Sequence, residues 1–397
     1  MIEHRPLASR IRHIALSPTM QVAIEAGRLK AQGVNVVDLG AGEPDFSTPE
    51  HIADAARAAL SAGFTKYTAN MGTAELRAAI VHRYREDHQV EYGVDEVIAT
   101  AGGKQALFHA AMALFGPGDE VITHTPGWPT LAEQVTLAGA IPVRVAAAAE
   151  DDFALTADLF LAAVTPRTRG IILNSPTNPT GAILEAPEAE RLALEAGRLG
   201  LWVVIDLCYD RLVYDRRPHH LPRIFGDVMR DRLVICGSVS KAYAMTGWRC
   251  GWMVASRDVV AAANALQSHE TSNVNSIAQK AAVVALTGPQ ESVTDMLAAY
   301  QDRRDQMLAW LSEEPRLRCV TPKGAFYLFP DVRAFLGGAV PTATDFAQQL
   351  LRDEFVVTTG GEGFDAPGYI RLSYAASLEQ LREGATRLIR FARARVA

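Results

Sequence analysis

The apolar positions of this chain fall into two alternating patterns. Short runs rich in β-branched residues occur at EVIAT (96–100), EVITH (120–124), IPVRV (141–145), GIILN (170–174), LWVVID (201–206), LVICG (233–237) and GWMVA (251–255). Longer alanine-rich stretches with helical spacing lie between most of them, so the alternation predicts an α/β fold. Runs apolar on both faces, such as Leu201 to Ile205, predict a mostly parallel sheet covered by helices on each side. In such sheets ligands gather at the C-terminal ends of the strands.

After about residue 285 the texture changes. A long helix-period segment (290–313) is followed by the shorter strand-like runs CVTP, AFYLFP, FVVTT and YIRLSY, and then by a closing helix. This reads as a second, α+β unit. The first residues hold a helix-like stretch (19–32) and the strand-like NVVDL, which must pack somewhere outside the parallel sheet. The expected division is a large domain over 48–285 and a small domain made of 1–47 together with 286–397.

At 397 residues, two cores are expected rather than one. Apolar residues make up 49% of the chain and the formal charge is −6, with no run of five or more like charges. This argues against a nucleic-acid surface and in favour of small-molecule chemistry. Four scattered cysteines, with no CxxC pair, argue against zinc and a disulfide framework and fit a reducing cytoplasm. No apolar leader core follows the first basic residues and no uninterrupted apolar span is long enough for a membrane, so neither export nor insertion is expected.

Candidate chemistry collects at the predicted strand ends. TAGGKQALF (100–108) runs from strand to helix, where the amides of Gly103, Lys104 and Gln105 could converge on a phosphate. A purely structural βα turn reads the same way, and the Walker and dinucleotide spacings are absent. NSPTNPTGA (174–182) forms a rigid loop that either merely connects or presents Asn178 to a ligand oxygen. Asp206 ends an apolar strand, either as a helix cap or as the partner of a buried cationic ring nitrogen. Tyr209 follows three residues later. In GSVSKAYAMTGWRCGW (237–252), Ser238, Ser240 and Arg249 surround Lys241, a surface cation or an amine nucleophile. Taken with Trp128 in PGWPT, these residues ask for a phosphate, a ring nitrogen, a ring oxygen, a flat face and an aldehyde. Together these describe pyridoxal phosphate.

At this constellation the sequence resembles the class I and II, fold-type I pyridoxal-phosphate aminotransferases, in particular the bacterial branch near the aspartate and prephenate aminotransferases. The resemblance spans nearly the whole chain. It also rests on GEPDFSTPEHI (42–52), KYTANMGTAELR (66–77), KGAFYLF (323–329) and YIRLSYA (369–375). It implies Lys241 as the Schiff-base lysine and proton carrier, Asp206 on the pyridine nitrogen, and Asn178 and Tyr209 on the phenolic oxygen. Trp128 would stack on the ring. Ser238, Ser240, Arg249 and the turn at 103–105 would hold the phosphate, with Tyr67 supplied by the other subunit of a homodimer. Arg371 would take the substrate α-carboxylate, with Gly42 making a backbone contact. The implied reaction is ping-pong transfer of an amino group from an amino acid to a 2-oxo acid. Another reaction on the same scaffold, such as C–S lysis or decarboxylation, is the alternative. A ligand-sensing regulator would need a DNA-binding module, for which no room is expected before Pro18.

Several positions depart from that family. Ser17 stands before Pro18 where acidic-substrate members usually carry lysine, Gly127 replaces a common aromatic, and Leu207 replaces an acidic residue. His269 and Glu270 read more readily as a solvated loop pair than as specificity residues. His219 and His220 read as surface loop, and no metal is expected.

Overall fold

The computed structural model describes residues 18–215 and 219–395. Among the described residues twelve strands follow in chain order: β1 (Val37–Asp38), β2 (Val97–Thr100), β3 (Glu120–Thr125), β4 (Ile141–Ala146), β5 (Thr168–Asn174), β6 (Trp202–Asp206), β7 (Leu233–Ser238), β8 (Gly251–Val254), β9 (Tyr327–Leu328), β10 (Val356–Val357), β11 (Thr359–Gly360) and β12 (Ile370–Ser373). Seven of them form one sheet in the order β2-β8-β7-β6-β5-β3-β4. Only β8 runs against its neighbours in that sheet. The chain is thus α/β with a mostly parallel seven-stranded sheet, as the both-face-apolar runs require.

Successive side chains of a strand point to opposite faces, and here each face has its own core. Ile171, Val203, Ile205 and Ile235 pack into one cluster, while Ile172, Val204 and Val234 pack into another across the sheet. Burying each such side chain contributes about 1.5–3 kcal/mol, which is why these strands carry no polar face.

A second group of elements follows the helix Glu291–Leu311. Strands β11, β12 and β9 form an antiparallel sheet, and β1 pairs in parallel with β10, Val37 opposite Val356. Val37 and Leu39 pack among Phe346, Ile370 and Leu388, which places the chain's early strand against its C-terminal elements. The expected run CVTP forms no strand. FVVTT is split into β10 and β11, because Thr358 between them breaks the ladder.

The His219–His220 expectation needs correction. His219 is buried, and its Nε2 meets Ser175 Oγ at 2.9 Å, so it braces the loop after β5 instead of facing solvent. Burial lowers its pKa to about 4. Among the described residues, no helix is long and apolar enough to cross a membrane and no group of three ligating side chains could hold a metal ion.

Candidate active site

The sheet register builds one end of a cavity directly. Asn174, the last residue of β5, lies opposite Asp206, the last of β6; Asp206 in turn lies opposite Cys236 in β7, two residues before Ser238. Three polar side chains thereby stand side by side at the C-terminal edge of parallel strands. Lys241 follows three residues beyond β7. The cavity holds about 300 Å³ and is lined by all four of these residues.

The turn after β2 closes another side. Gly102 sits at φ 84°, and a Cβ there would lie 2.4 Å from Arg249 Nη2, so only glycine allows the arginine to cross the turn. The helix Gly103–Leu114 starts there, with the amides of its first turn outside the helical ladder. Gly103 and Lys104 line the cavity, but Gln105 does not. The Gln105 N–H is bonded to the Gly102 carbonyl at 3.2 Å, and its side chain bridges Ala101 N and Thr271 Oγ1. Its task here is to brace the turn.

Asp206 is buried, and the hydrogen bond described for it is from the Cys208 N–H to Oδ1 at 3.0 Å. Burial with so little compensation pushes its pKa up to about 7. Lys241 Nζ donates to the Gly42 carbonyl at 2.5 Å. Burial lowers the lysine's pKa, and Arg371 and Arg249 act in the same direction, which raises the fraction of neutral amine. Ser238 Oγ contacts Cys208 Sγ at 3.4 Å and accepts from the Ser240 amide at 3.3 Å.

Arg371, on β12, is 2% exposed. Its guanidinium donates to Asn178 Oδ1 at 3.0 Å and to the Gly40 carbonyl at 2.8 Å, and its Nε has no partner among the described residues. Tyr209 is buried, with its hydroxyl 2.8 Å from that of Tyr327. Trp128 is half-buried on the cavity wall with Lys104 Nζ 4.9 Å from its ring. Among the described residues that line the space, Lys104, Lys241, Arg249 and Arg371 are basic and only Asp206 is acidic. A chamber so charged attracts anions.

The cavity therefore brings together Gly42, Gly103, Lys104, Trp128, Asn178, Asp206, Tyr209, Ser238, Ser240, Lys241, Arg249 and Arg371. Tyr67 stands apart, 91% exposed on the segment before the helix Ala74–His88. Four further lining residues, Asn174, Cys208, Thr246 and Tyr327, were not singled out from the sequence. For two of them a signal existed: Asn174 ends a strand, and Tyr327 lies within KGAFYLF. His269 is exposed at a helix C-terminus, whereas Glu270 pairs with the fully buried His109 at 2.7 Å and is not a merely solvated residue. Ser17 lies outside the described residues.

Fold and cavity together define the class: an α/β protein with a partly buried lysine at the strand ends, facing a carboxylate and an arginine across one chamber. The family model for aminotransferases of class I and II matches residues 34–388, and the chain belongs to that family. It is 41% identical to an aspartate aminotransferase of Geobacillus stearothermophilus over 98% of this chain and 99% of that one. It is 40% identical to an aspartate/prephenate aminotransferase of Cereibacter sphaeroides, over 97% and 98% of the two chains. Among solved structures, the aspartate aminotransferase of Thermus thermophilus with maleate matches with a TM-score of 0.92 at 37% identity, covering 98% of this chain and all of that one.

Proposed function

We propose that this aminotransferase uses pyridoxal 5'-phosphate and takes aspartate as amino donor. The observation that carries the cofactor reading is a mismatch inside one cavity. Asp206 is a buried carboxylate with no ion pair among the described residues, only the field of Lys241 in the same cavity, and burial raises its pKa while it lowers that of the lysine. A protonated pyridine nitrogen would supply the missing cation and keep the carboxylate ionised. Bound there, the cofactor supplies a carbonyl for the amine and an electron sink.

The chain's own residues have separate tasks in this reading. Ser238, Ser240, Arg249 and the amides of Gly103 and Lys104 hold the phosphate. Trp128 covers one ring face, and Asn178 and Tyr209 meet the phenolic oxygen. Arg371 fixes the substrate α-carboxylate through a fork of parallel donors, which suits a carboxylate better than an ammonium does. Lys241 Nζ would be the amine that meets the cofactor's carbonyl and, when free, the base that holds and moves the proton of the substrate Cα. Burial lowers the pKa of this amine, which favours its action as a base.

Aspartate is favoured by the names of the relatives and by Lys104. That ammonium lines the cavity and has no carboxylate partner among the described residues. A distal carboxylate on the substrate would pair with it. Tyr67, exposed and outside its own cavity, fits a task in the phosphate site of a second copy, so the working unit is a homodimer with shared sites. The four free cysteines suit a reducing cytoplasm.

The test is a half-reaction. Protein loaded with pyridoxal phosphate and given aspartate alone should lose its visible band and release one equivalent of oxaloacetate per site; 2-oxoglutarate should then restore the band. Release of ammonia or pyruvate without an oxo-acid acceptor would replace the transaminase reading with a lyase.

A further inference from the structure

Tyr327 lies between the two ends of the site. In the antiparallel pair of β9 with β12, Tyr327 is opposite Ser373, which makes Arg371 its diagonal neighbour on the same face. The Arg371 guanidinium accordingly lies over the Tyr327 ring, 4.4 Å from its centroid. The hydroxyl at the other end of that ring is 2.8 Å from the Tyr209 hydroxyl, and the two rings meet edge to face at 5.9 Å. Tyr327 is 1% exposed, so water does not compete for this contact. Gly42 leaves room for it: a Cβ at that position would come within 3.3 Å of the Tyr327 hydroxyl.

Each phenol has one proton to donate. If Tyr209 spends its proton on Tyr327, none remains for a ligand. If Tyr327 donates instead, the Tyr209 proton is directed into the cavity and its donor strength is increased by polarisation. Burial raises the pKa of both phenols, so both protons stay in place at neutral pH.

We propose that Tyr327 is a positioning residue that donates to Tyr209, aims the Tyr209 proton at the cofactor's phenolic oxygen, and is itself held by the Arg371 guanidinium over its ring. This rests on the cofactor reading above. Arg371 thereby touches both groups assigned to that oxygen: Asn178 by a direct hydrogen bond and Tyr209 through Tyr327.

The test is a pH titration of the visible absorbance of the cofactor-loaded protein. A donor on the phenolic oxygen competes with the proton that this band reports, so weakening the donor raises the midpoint. Tyr327→Phe keeps the ring under Arg371 and removes only the hydroxyl; it should raise the midpoint by about 0.5 pH unit, the scale of one modest hydrogen bond. Tyr209→Phe should raise it further, and adding Tyr327→Phe to Tyr209→Phe should change nothing more. An unmoved midpoint in Tyr327→Phe, or additive shifts in the double variant, overturns the proposal and leaves the cofactor reading standing. Failure of the unsubstituted protein to develop a visible band with pyridoxal phosphate overturns both.

Discussion

Arg371 and Asn178 are hydrogen-bonded at 3.0 Å although 193 residues separate them in the chain. One comes from the small antiparallel sheet and the other from the loop after β5, so the contact ties the two halves of the molecule together at the cavity. A substrate carboxylate bound by Arg371 would press on this same link.

Arg371→Lys should therefore impair binding more than a change of cation suggests. Lysine keeps the charge but loses the fork that serves Asn178, the Gly40 carbonyl and a carboxylate together. Truncating one partner of a buried charged pair costs about 2–5 kcal/mol, so KM for aspartate should rise by roughly 30-fold or more. Cofactor affinity, measured by absorbance titration, should change less than KM, because Arg371 reaches the cofactor only through Asn178 and Tyr327. Unaltered steady-state kinetics would remove Arg371 from substrate recognition.

For Lys241→Ala the expected loss is in turnover. Removing a positioned base costs about 10²- to 10⁴-fold, and this lysine is proposed as nucleophile as well, so activity should fall by at least the upper figure. The visible band formed with pyridoxal phosphate should vanish too. A variant that keeps both would refute the assignment.

Much of this was legible in the sequence because the signals are local. The both-face-apolar strands put Asp206 and Ser238 at one edge of the sheet, where the register adds Asn174. What stayed hidden depends on distant pairing. Tyr327 meets Tyr209 because the segment after β6 pairs with the one before β9, through the Val213–Gly324 bridge and the Ala325 N–H bonded to the Leu212 carbonyl, a pairing more than 100 residues apart with no periodicity to read. Likewise His219 looked like loop surface because nothing in its neighbours foretells Ser175 as a partner 44 residues away. Gln105 shows the opposite case: the turn is local, but which of its amides stays free depends on the bond to Gly102.

Lys104→Met should separate acidic from apolar donors. The ammonium lies over Trp128 with its pKa lowered, chiefly by burial and further by Arg249, so a distal carboxylate would restore a partner it lacks. A hydrogen bond to a charged group is worth about 1.5–3 kcal/mol, which predicts a rise of roughly 10- to 100-fold in KM for aspartate. Alanine, with no distal carboxylate, should be used as before. Equal losses for the two donors would show that Lys104 serves the cofactor instead.

Asp206 links the site to stability. Its carboxyl has an ordinary value of 3.8 and a folded value of about 7, raised by burial. Between those values the folded state holds a proton that the unfolded state has lost, so folding is favoured at the acid end. That advantage declines as pH rises through the window and is gone above about 7, at a slope of at most about 1.4 kcal/mol per pH unit. Asp206→Asn cannot ionise. In cofactor-free protein the melting temperature of Asp206→Asn relative to the unsubstituted chain should therefore climb between pH 5 and pH 7.5, while other titrating groups cancel in the difference. Pyridoxal phosphate should reverse the trend in the unsubstituted protein, because a cationic ring nitrogen rewards the ionised carboxylate, and should do so far less in the variant. A difference independent of pH would mean that Asp206 is already paired without the cofactor.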